Sequence, residues 1–217
     1  MTACSIAAPL RIAIFDYGAG NLHSLVKALV APDVAVTIEP DPRAAVASAD
    51  VLVLPGVGAY GAATEAIGPH RDVMREAIAG GLPTLGICLG MQLLFDESEE
   101  GGSRGLGVIP GRVTRIDADR IPQIGWNALE EVRDPLFAGA GLTEVYYANG
   151  YACRPMQRDL VTAWSTHGRD RFPAAVRAGS AVGVQFHPEK SSTAGVRFVR
   201  AFLQQARLSR RSPGPAR

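Results

Sequence analysis

Cysteine is scarce in this chain of 217 residues, with only Cys4, Cys88 and Cys153. An odd, sparse set excludes a disulfide framework, and no CxxC pair or Cys/His cluster has the spacing of a zinc site. Histidine is almost as rare, limited to His23, His70, His167 and His187, and lysine occurs only as Lys27 and Lys190. Any chemistry that pairs a thiol with an imidazole must draw on this small set. No apolar run approaches the ~18 residues of a membrane-spanning helix, and no basic segment leads into an apolar one near the start. The expectation is a soluble, cytoplasmic protein. A strong charge of either sign is also missing: the net charge is +1. Arg207, Arg210, Arg211 and Arg217 crowd the last eleven residues with no acid among them, so the body without them is mildly acidic. That argues against a nucleic-acid binder, which needs its basic face on the folded body.

What is present is an ordinary globular balance, 47% hydrophobic and 20% charged, at a length that suits one domain. The first hundred residues alternate apolar runs with helical spacing. Strands are expected at Arg11–Asp16, Val34–Ile38, Asp50–Leu54 and Pro83–Ile87. Helices are expected at Leu22–Val30, at Ala44–Ala49, and over 62–79 with an interruption at Gly68-Pro69. Such alternation is the signature of a parallel sheet covered by helices on both faces. Its functional residues belong at the carboxyl ends of the strands. Beyond residue 108 the segments shorten to Val113–Ile116, Val145–Tyr147, Leu160–Ala163, Ala174–Arg177 and Val182–Gln185, which suit antiparallel additions to the sheet edge. A last helix is expected at Thr193–Ala206. The fold class is therefore α/β, three-layer, mostly parallel with antiparallel edge strands. One domain would span 10–206, with flexible extensions at 1–9 and 207–217.

The sharpest motif is Gly86-Ile-Cys88-Leu-Gly90-Met-Gln92, between an expected strand and an expected helix. It is a GxCxG form of the nucleophile elbow. The reactive side chain sits on a tight turn, and the flanking glycines remove Cβ atoms that would clash. A helix start also carries partial positive charge, which favours an anionic nucleophile. A free cysteine is commonly just a buried apolar residue; the glycines on both sides and the strand-to-helix setting favour the nucleophile here.

A thiol nucleophile needs a base, and the base needs an orienting partner. Gly183-Val-Gln-Phe-His187-Pro-Glu189 supplies both, with the carboxylate two residues beyond the imidazole. Alone, His-Pro-Glu reads as a solvated turn; beside the elbow it reads as catalytic. The other histidines have no comparable setting. His70 follows Gly-Pro as a surface loop residue, His167 lies in a turn, and His23 opens a helix. Pro55-Gly-Val-Gly58 ends the third strand, where backbone N–H groups suit a developing oxyanion, though an ordinary Gly/Pro loop has the same composition.

Together PGVG, LGICLGMQLLF and GVQFHPEKS resemble the class I, triad-type glutamine amidotransferases. Within that family, Asp16-Tyr-Gly-Ala-Gly-Asn21-Leu, Ser98-Glu-Glu-Gly101, Gly105-Leu-Gly-Val-Ile-Pro-Gly111 and Ile124-Gly-Trp-Asn127 resemble the glutaminase subunits of imidazole glycerol phosphate synthase. The resemblance runs from about residue 11 to 204. It implies that Cys88 attacks the glutamine carboxamide to form a thioester, that His187 moves the protons, and that Glu189 orients His187. Gly58 and the Leu89 N–H would form or gate the oxyanion hole, while Gln92, Asn149 and Gly150 would line the glutamine pocket. Asn21, Trp126, Asn127, Tyr146 and Lys190 resemble positions near the partner face or the ammonia exit. The implied partner is a (βα)8-barrel cyclase subunit in a heterodimer of the histidine pathway. There ammonia joins a phosphoribulosyl formimino intermediate, yielding imidazole glycerol phosphate and an aminoimidazole carboxamide ribotide. No metal or organic cofactor is implied.

The chain departs from the family at Tyr147-Ala-Asn149-Gly150-Tyr151, where His-Ser or His-Thr is usual before the last Tyr. Asn keeps hydrogen-bonding capacity but carries no proton at neutral pH. Pro122-Gln123-Ile124 likewise stands where Pro-His-Met is more usual. These changes leave room for a paralogue that feeds ammonia to a different synthase. A non-catalytic module would be expected to lose Cys88, His187 or Glu189, and all three are present. A cysteine peptidase or small-molecule hydrolase would give no reason for GWN or SEEG.

Overall fold

Three runs of consecutive apolar residues become the interior of one sheet, because a strand buried on both faces has no polar side to present, while a fourth, Val34–Glu39, forms its partly exposed edge. The computed structural model describes residues 8–18, 20 and 22–211. Strands β1 (Leu10–Phe15), β2 (Val34–Glu39), β3 (Val51–Leu54) and β4 (Thr84–Ile87) match the expected runs to within a residue or two. Every residue of β3 and β4 is buried. They belong to a seven-stranded sheet of order β10-β11-β12-β4-β3-β1-β2, completed by β10 (Val161–His167), β11 (Asp170–Ala178) and β12 (Ala181–Val184). The five strands from β12 to β2 run parallel, and β11 and β10 add antiparallel at the edge.

The helices follow the sequence signals. Helix α1 (His23–Leu29) buries Leu25, Ala28 and Leu29. Helix α2 (Pro42–Ser48) starts two residues earlier than expected because Asp41 caps it, accepting from the Arg43 N–H at 2.9 Å, with Pro42 in the first helical position. The interruption at Gly68-Pro69 is real: α3 (Tyr60–Ile67) and α4 (Arg71–Ala79) are separated by a 3₁₀ turn that contains His70. Helix α5 (Leu89–Leu93) is a short piece behind Cys88.

Two expectations are corrected. The strands of the second half do not all extend the central sheet. β5 (Glu97–Ser98), β6 (Gly111–Arg115) and β9 (Tyr151–Pro155) form a separate three-stranded sheet, and β7 (Gln123–Ala128) with β8 (Glu144–Asn149) form a two-stranded ribbon. Gly125, Asn127 and Pro155 disguise β7 and β9 as turns in the sequence, whereas β6 and β8 are legible as strands but pair away from the central sheet. The last helix, α6 (Ser192–Arg211), also outruns residue 206. Its extra turn is held by charge: Arg207 pairs with Asp33, and Arg210 lies 3.1 Å from Asp50. Of the extensions expected at 1–9 and 207–217, residues 1–7 and 212–217 lie outside the described residues.

Because β1, β3, β4 and β12 are parallel, their carboxyl ends open on one edge of the sheet. Tyr17, the Pro55–Gly58 loop, Cys88 and His187 all follow those ends.

Candidate active site

Cys88 is the pivot between β4 and α5. Its backbone has φ 48° and ψ −105°, the left-handed side of conformational space for a residue with a Cβ. Such a conformation costs about 1–3 kcal/mol and persists only where the surroundings impose it. Here the Cys88 N–H is tied to Val184 O at 2.7 Å, so the turn is anchored to β12. The flanking glycines are needed for space. A Cβ on Gly90 would stand 2.0 Å from Leu54 O, and one on Gly86 would stand 2.6 Å from Gly90 O.

Strand β12 delivers the imidazole to the same place. His187 is buried, and its Nδ1 lies 2.8 Å from Glu189 Oε1 across the 3₁₀ turn Pro188–Lys190. A Cβ built on Gly56 would fall 2.9 Å from His187 Cε1 and 3.1 Å from Cys88 Cβ, so that glycine sits against both. Burial opposes a charged imidazole, but hydrogen bonding to Cys88 and Glu189 outweighs it, and His187 is pushed up to about 9. Next to it, Phe186 is clamped among Phe137, Tyr147 and Phe198 by edge-on ring contacts. The imidazole is thus held by a rigid apolar cluster as well as by its carboxylate.

A cavity of about 440 Å³ opens over the thiol. Gly58, Leu89, Gln92, Asn149 and Gly150 line it with Cys88. Gly58 has φ 110°, a conformation that favours glycine, and its Cα faces the Tyr17 ring. The Tyr17 hydroxyl donates to Pro55 O and so ties the loop to the end of β1. Burial, followed by the nearby charges of Cys88 and Asp16, pushes the Tyr17 hydroxyl well up, so it stays a donor.

Asn149 is buried and donates from Nδ2 to Tyr151 O at 3.0 Å, while its Oδ1 has no hydrogen-bond partner. Gln92 Nε2 reaches the same carbonyl and also Gln185 Oε1, each at 3.3 Å. Gly150 packs close to Ile121, whose Cγ2 a Cβ there would meet at 3.4 Å. Sequence reasoning overlooked several neighbours. Glu100 and Arg115 line the exposed side of the cavity, and Gln185 lies fully buried against Cys88. Glu100 sits in the quoted SEEG stretch and Gln185 in GVQFHPEKS, but neither segment says where its side chain points.

The residues expected at a partner face separate into two kinds. Trp126 and Tyr146 are register partners across β7 and β8, with ring centroids 6.2 Å apart, and Lys190 Nζ lies 5.9 Å above the Tyr146 ring. Trp126 is 54% exposed and Ile124, on the same face of β7, is 69% exposed, so the two form an exposed apolar patch. Asn127 stands apart: its side chain donates to Thr166 O and accepts from the Ala128 N–H, each at 2.8 Å, so it is spent on the fold. Asn21 lies outside the described residues. Among the described residues no group of three metal-ligating side chains converges, and no helix is long and apolar enough to cross a membrane.

Comparison with known proteins agrees with this geometry. The profile of the family described as "Glutamine amidotransferase class-I" matches residues 13–206. The chain is 48% identical over 195 residues to the imidazole glycerol phosphate synthase subunit HisH of Symbiobacterium thermophilum, covering 87% of this chain and 91% of the relative. It is 43% identical over 202 residues to the subunit of the same name from Halobacterium salinarum, covering 88% and 92%. Among solved structures, a glutamine amidotransferase superposes with a TM-score of 0.69 at 21% identity, covering 90% of this chain and 98% of that one. PurLQS from Thermotoga maritima superposes with a TM-score of 0.64 at 20% identity, covering 91% and 99%. These two likenesses speak for the fold alone. The elbow thiol, the buried imidazole beside it and the extent of the sequence match lead to one conclusion: the chain belongs to the class I glutamine amidotransferases, in the branch of the HisH subunits of imidazole glycerol phosphate synthase.

Proposed function

We propose that this chain hydrolyses glutamine as the glutaminase subunit of a cytoplasmic, heterodimeric imidazole glycerol phosphate synthase, a lyase of histidine biosynthesis. Its ammonia passes to a (βα)8-barrel cyclase subunit. The observation that carries this reading is the convergence of Cys88, His187 and Glu189 at the carboxyl ends of β4 and β12, beneath a cavity of amino-acid size.

The chemistry follows from the groups present. The Cys88 sulfur attacks the carboxamide carbon and forms a C–S bond, its proton having gone to His187. Glu189 occupies Nδ1 and fixes the tautomer, leaving Nε2 to work on the reactant. Negative charge developing on the carboxamide oxygen is met by backbone N–H groups at Leu89 and the Gly58 loop. The imidazolium returns its proton to the nitrogen, the C–N bond breaks, and ammonia leaves a glutamyl thioester. Water, giving a proton to His187, then attacks the thioester carbon. The C–S bond breaks, glutamate departs and the thiol is restored. Gln92, Asn149 and Gly150 shape the pocket wall. Glu100 and Arg115 present opposite charges to the ammonium and carboxylate ends of an amino acid.

The Trp126–Tyr146–Lys190 cluster, with Ile124, supplies the face for the cyclase subunit. Glutamate release by the full chain tests the whole reading in three conditions: alone, with the histidine-pathway cyclase, and with that cyclase plus its nucleotide substrate. Cys88→Ala is the blank. Strong stimulation in the third condition is expected. Turnover indifferent to the cyclase would keep the glutaminase and replace the partner with another synthase. Turnover that survives in Cys88→Ala would remove the nucleophile.

A further inference from the structure

Gln185 has no part in the scheme above, yet it is fully buried and touches the reacting sulfur. Its Nε2 lies 3.5 Å from Cys88 Sγ, in position to donate. Its Oε1 accepts from Gln92 Nε2, which also donates to Tyr151 O. The polarity of this chain of amides is set by the backbone. Tyr151 O is a carbonyl and accepts only, so it requires the nitrogen end of Gln92. That nitrogen requires the oxygen end of Gln185, which leaves the Gln185 nitrogen facing the sulfur. Turning Gln92 alone would set two oxygens face to face at Tyr151. Turning Gln185 alone would set two NH₂ groups face to face at Gln92. Asn149 Nδ2 donates to the same Tyr151 carbonyl at 3.0 Å, so both lone pairs of that oxygen are used and its role is fixed.

We propose that Gln185 is a positioning residue for the nucleophile: its amide N–H donates to the Cys88 sulfur, in a direction imposed by the Tyr151 carbonyl through Gln92. The inference rests on the reading of Cys88 as the attacking group. A hydrogen bond donated to the charged form of an acid favours that form, so Gln185 serves the thiolate both by aim and by charge. Its neighbour Gln92 lines the cavity, so a ligand that pulls on Gln92 is felt at the sulfur through a single amide.

The test is the pH dependence of Cys88 alkylation by iodoacetamide in the full chain. Sulfur forms a bond to the acetamide carbon and iodide leaves, and mass spectrometry reads the modified position. Gln185→Met keeps the volume and removes the donor. Its alkylation midpoint should move up by about one pH unit, with roughly tenfold slower alkylation at pH 7. Glutamine turnover should lose kcat while KM holds. Where Gln185→Met does not fold, Gln185→Leu decides instead: it too removes the donor without adding charge, so its midpoint should also rise. An unchanged midpoint in a folded variant overturns the proposal, even if every rate falls, because a merely structural role slows rates without moving the midpoint. Glutaminase activity that survives in Cys88→Ala overturns the underlying reading instead, so the two failures are distinguishable.

Discussion

The His187 N–H donates to the Tyr146 carbonyl at 2.9 Å, so the imidazole-bearing turn and the aromatic face of the β7–β8 ribbon share one backbone joint. Ser191 closes the joint from the other side. Its buried hydroxyl accepts from the Tyr146 N–H at 2.9 Å and donates to His187 O at 2.7 Å. Removing that hydroxyl strands the Tyr146 N–H, at a cost of about 1–3 kcal/mol, while His187 O keeps the Lys190 N–H at 3.0 Å. Ser191→Ala is expected to lower stability by that amount in urea titration. It is also expected to reduce kcat for glutamine more than KM, because the turn that aims His187 loosens while the cavity wall stays. A variant that loses stability but keeps its kcat would show that the joint does not aim the imidazole.

Two glycines near the thiol should respond differently to the same extra methyl group. At Gly90 the added carbon meets the Leu54 carbonyl at 2.0 Å, a backbone atom that cannot turn aside. Gly90→Ala is expected to destabilise the fold by roughly 3 kcal/mol or more, seen as loss of the native thermal transition. At Gly56 the carbon meets the edge of the His187 ring and the Cys88 Cβ at 2.9 and 3.1 Å. The Cys88 Cβ is fixed to its backbone and only the His187 ring can turn aside, so Gly56→Ala should displace the imidazole and fail chemically. A misplacement of about 1 Å at reacting groups is worth around a hundredfold in rate. A folded Gly56→Ala chain with parental kcat would contradict the contact geometry.

The stability of the protein should also carry the signature of His187. Its folded-state value of about 9 lies above the ordinary imidazole value of about 6.5. The folded chain therefore holds this proton more tightly than the unfolded chain does. The resulting stabilisation is complete below about pH 6.5 and is lost as the pH rises through about 9. Its size is of the order of 3 kcal/mol. Urea unfolding of the parent and His187→Gln should show the gap between them shrinking from about pH 6 to about pH 9.5. A gap that stays constant would refute the ionic state assigned to the imidazole.

Much of this architecture is legible in the sequence for physical reasons that vary along the chain. Val51–Leu54 and Thr84–Ile87 announce themselves because strands buried on both faces must be apolar throughout. The Cys88 turn is legible because Gly86 and Gly90 leave no room for any other residue. Gln123–Ala128 and Tyr151–Pro155 are illegible because each pairs in a small sheet with mixed exposure, and their Gly, Asn and Pro imitate turns. Gln185 is the hardest case. Its partner Cys88 is 97 residues away, and only the packing of β12 beside β4 brings the amide to the sulfur. The extra turn of α6 was hidden likewise, since an arginine-rich end reads as solvated until Asp33 and Asp50 are seen beneath it.

The β7–β8 ribbon stands outside the seven-stranded sheet, and this divides labour within the molecule. Thiol and imidazole hang from strands of the central sheet, whereas Asn149 and Gly150 hang from the ribbon's inner end and Trp126 and Tyr146 lie further along it. The wall of the pocket and the outward face can therefore drift in sequence while the reacting pair keeps its geometry. On this layout, the Asn149-Gly150 stretch of the cavity lining belongs to a part that can be exchanged without moving the strands that carry the thiol and the imidazole.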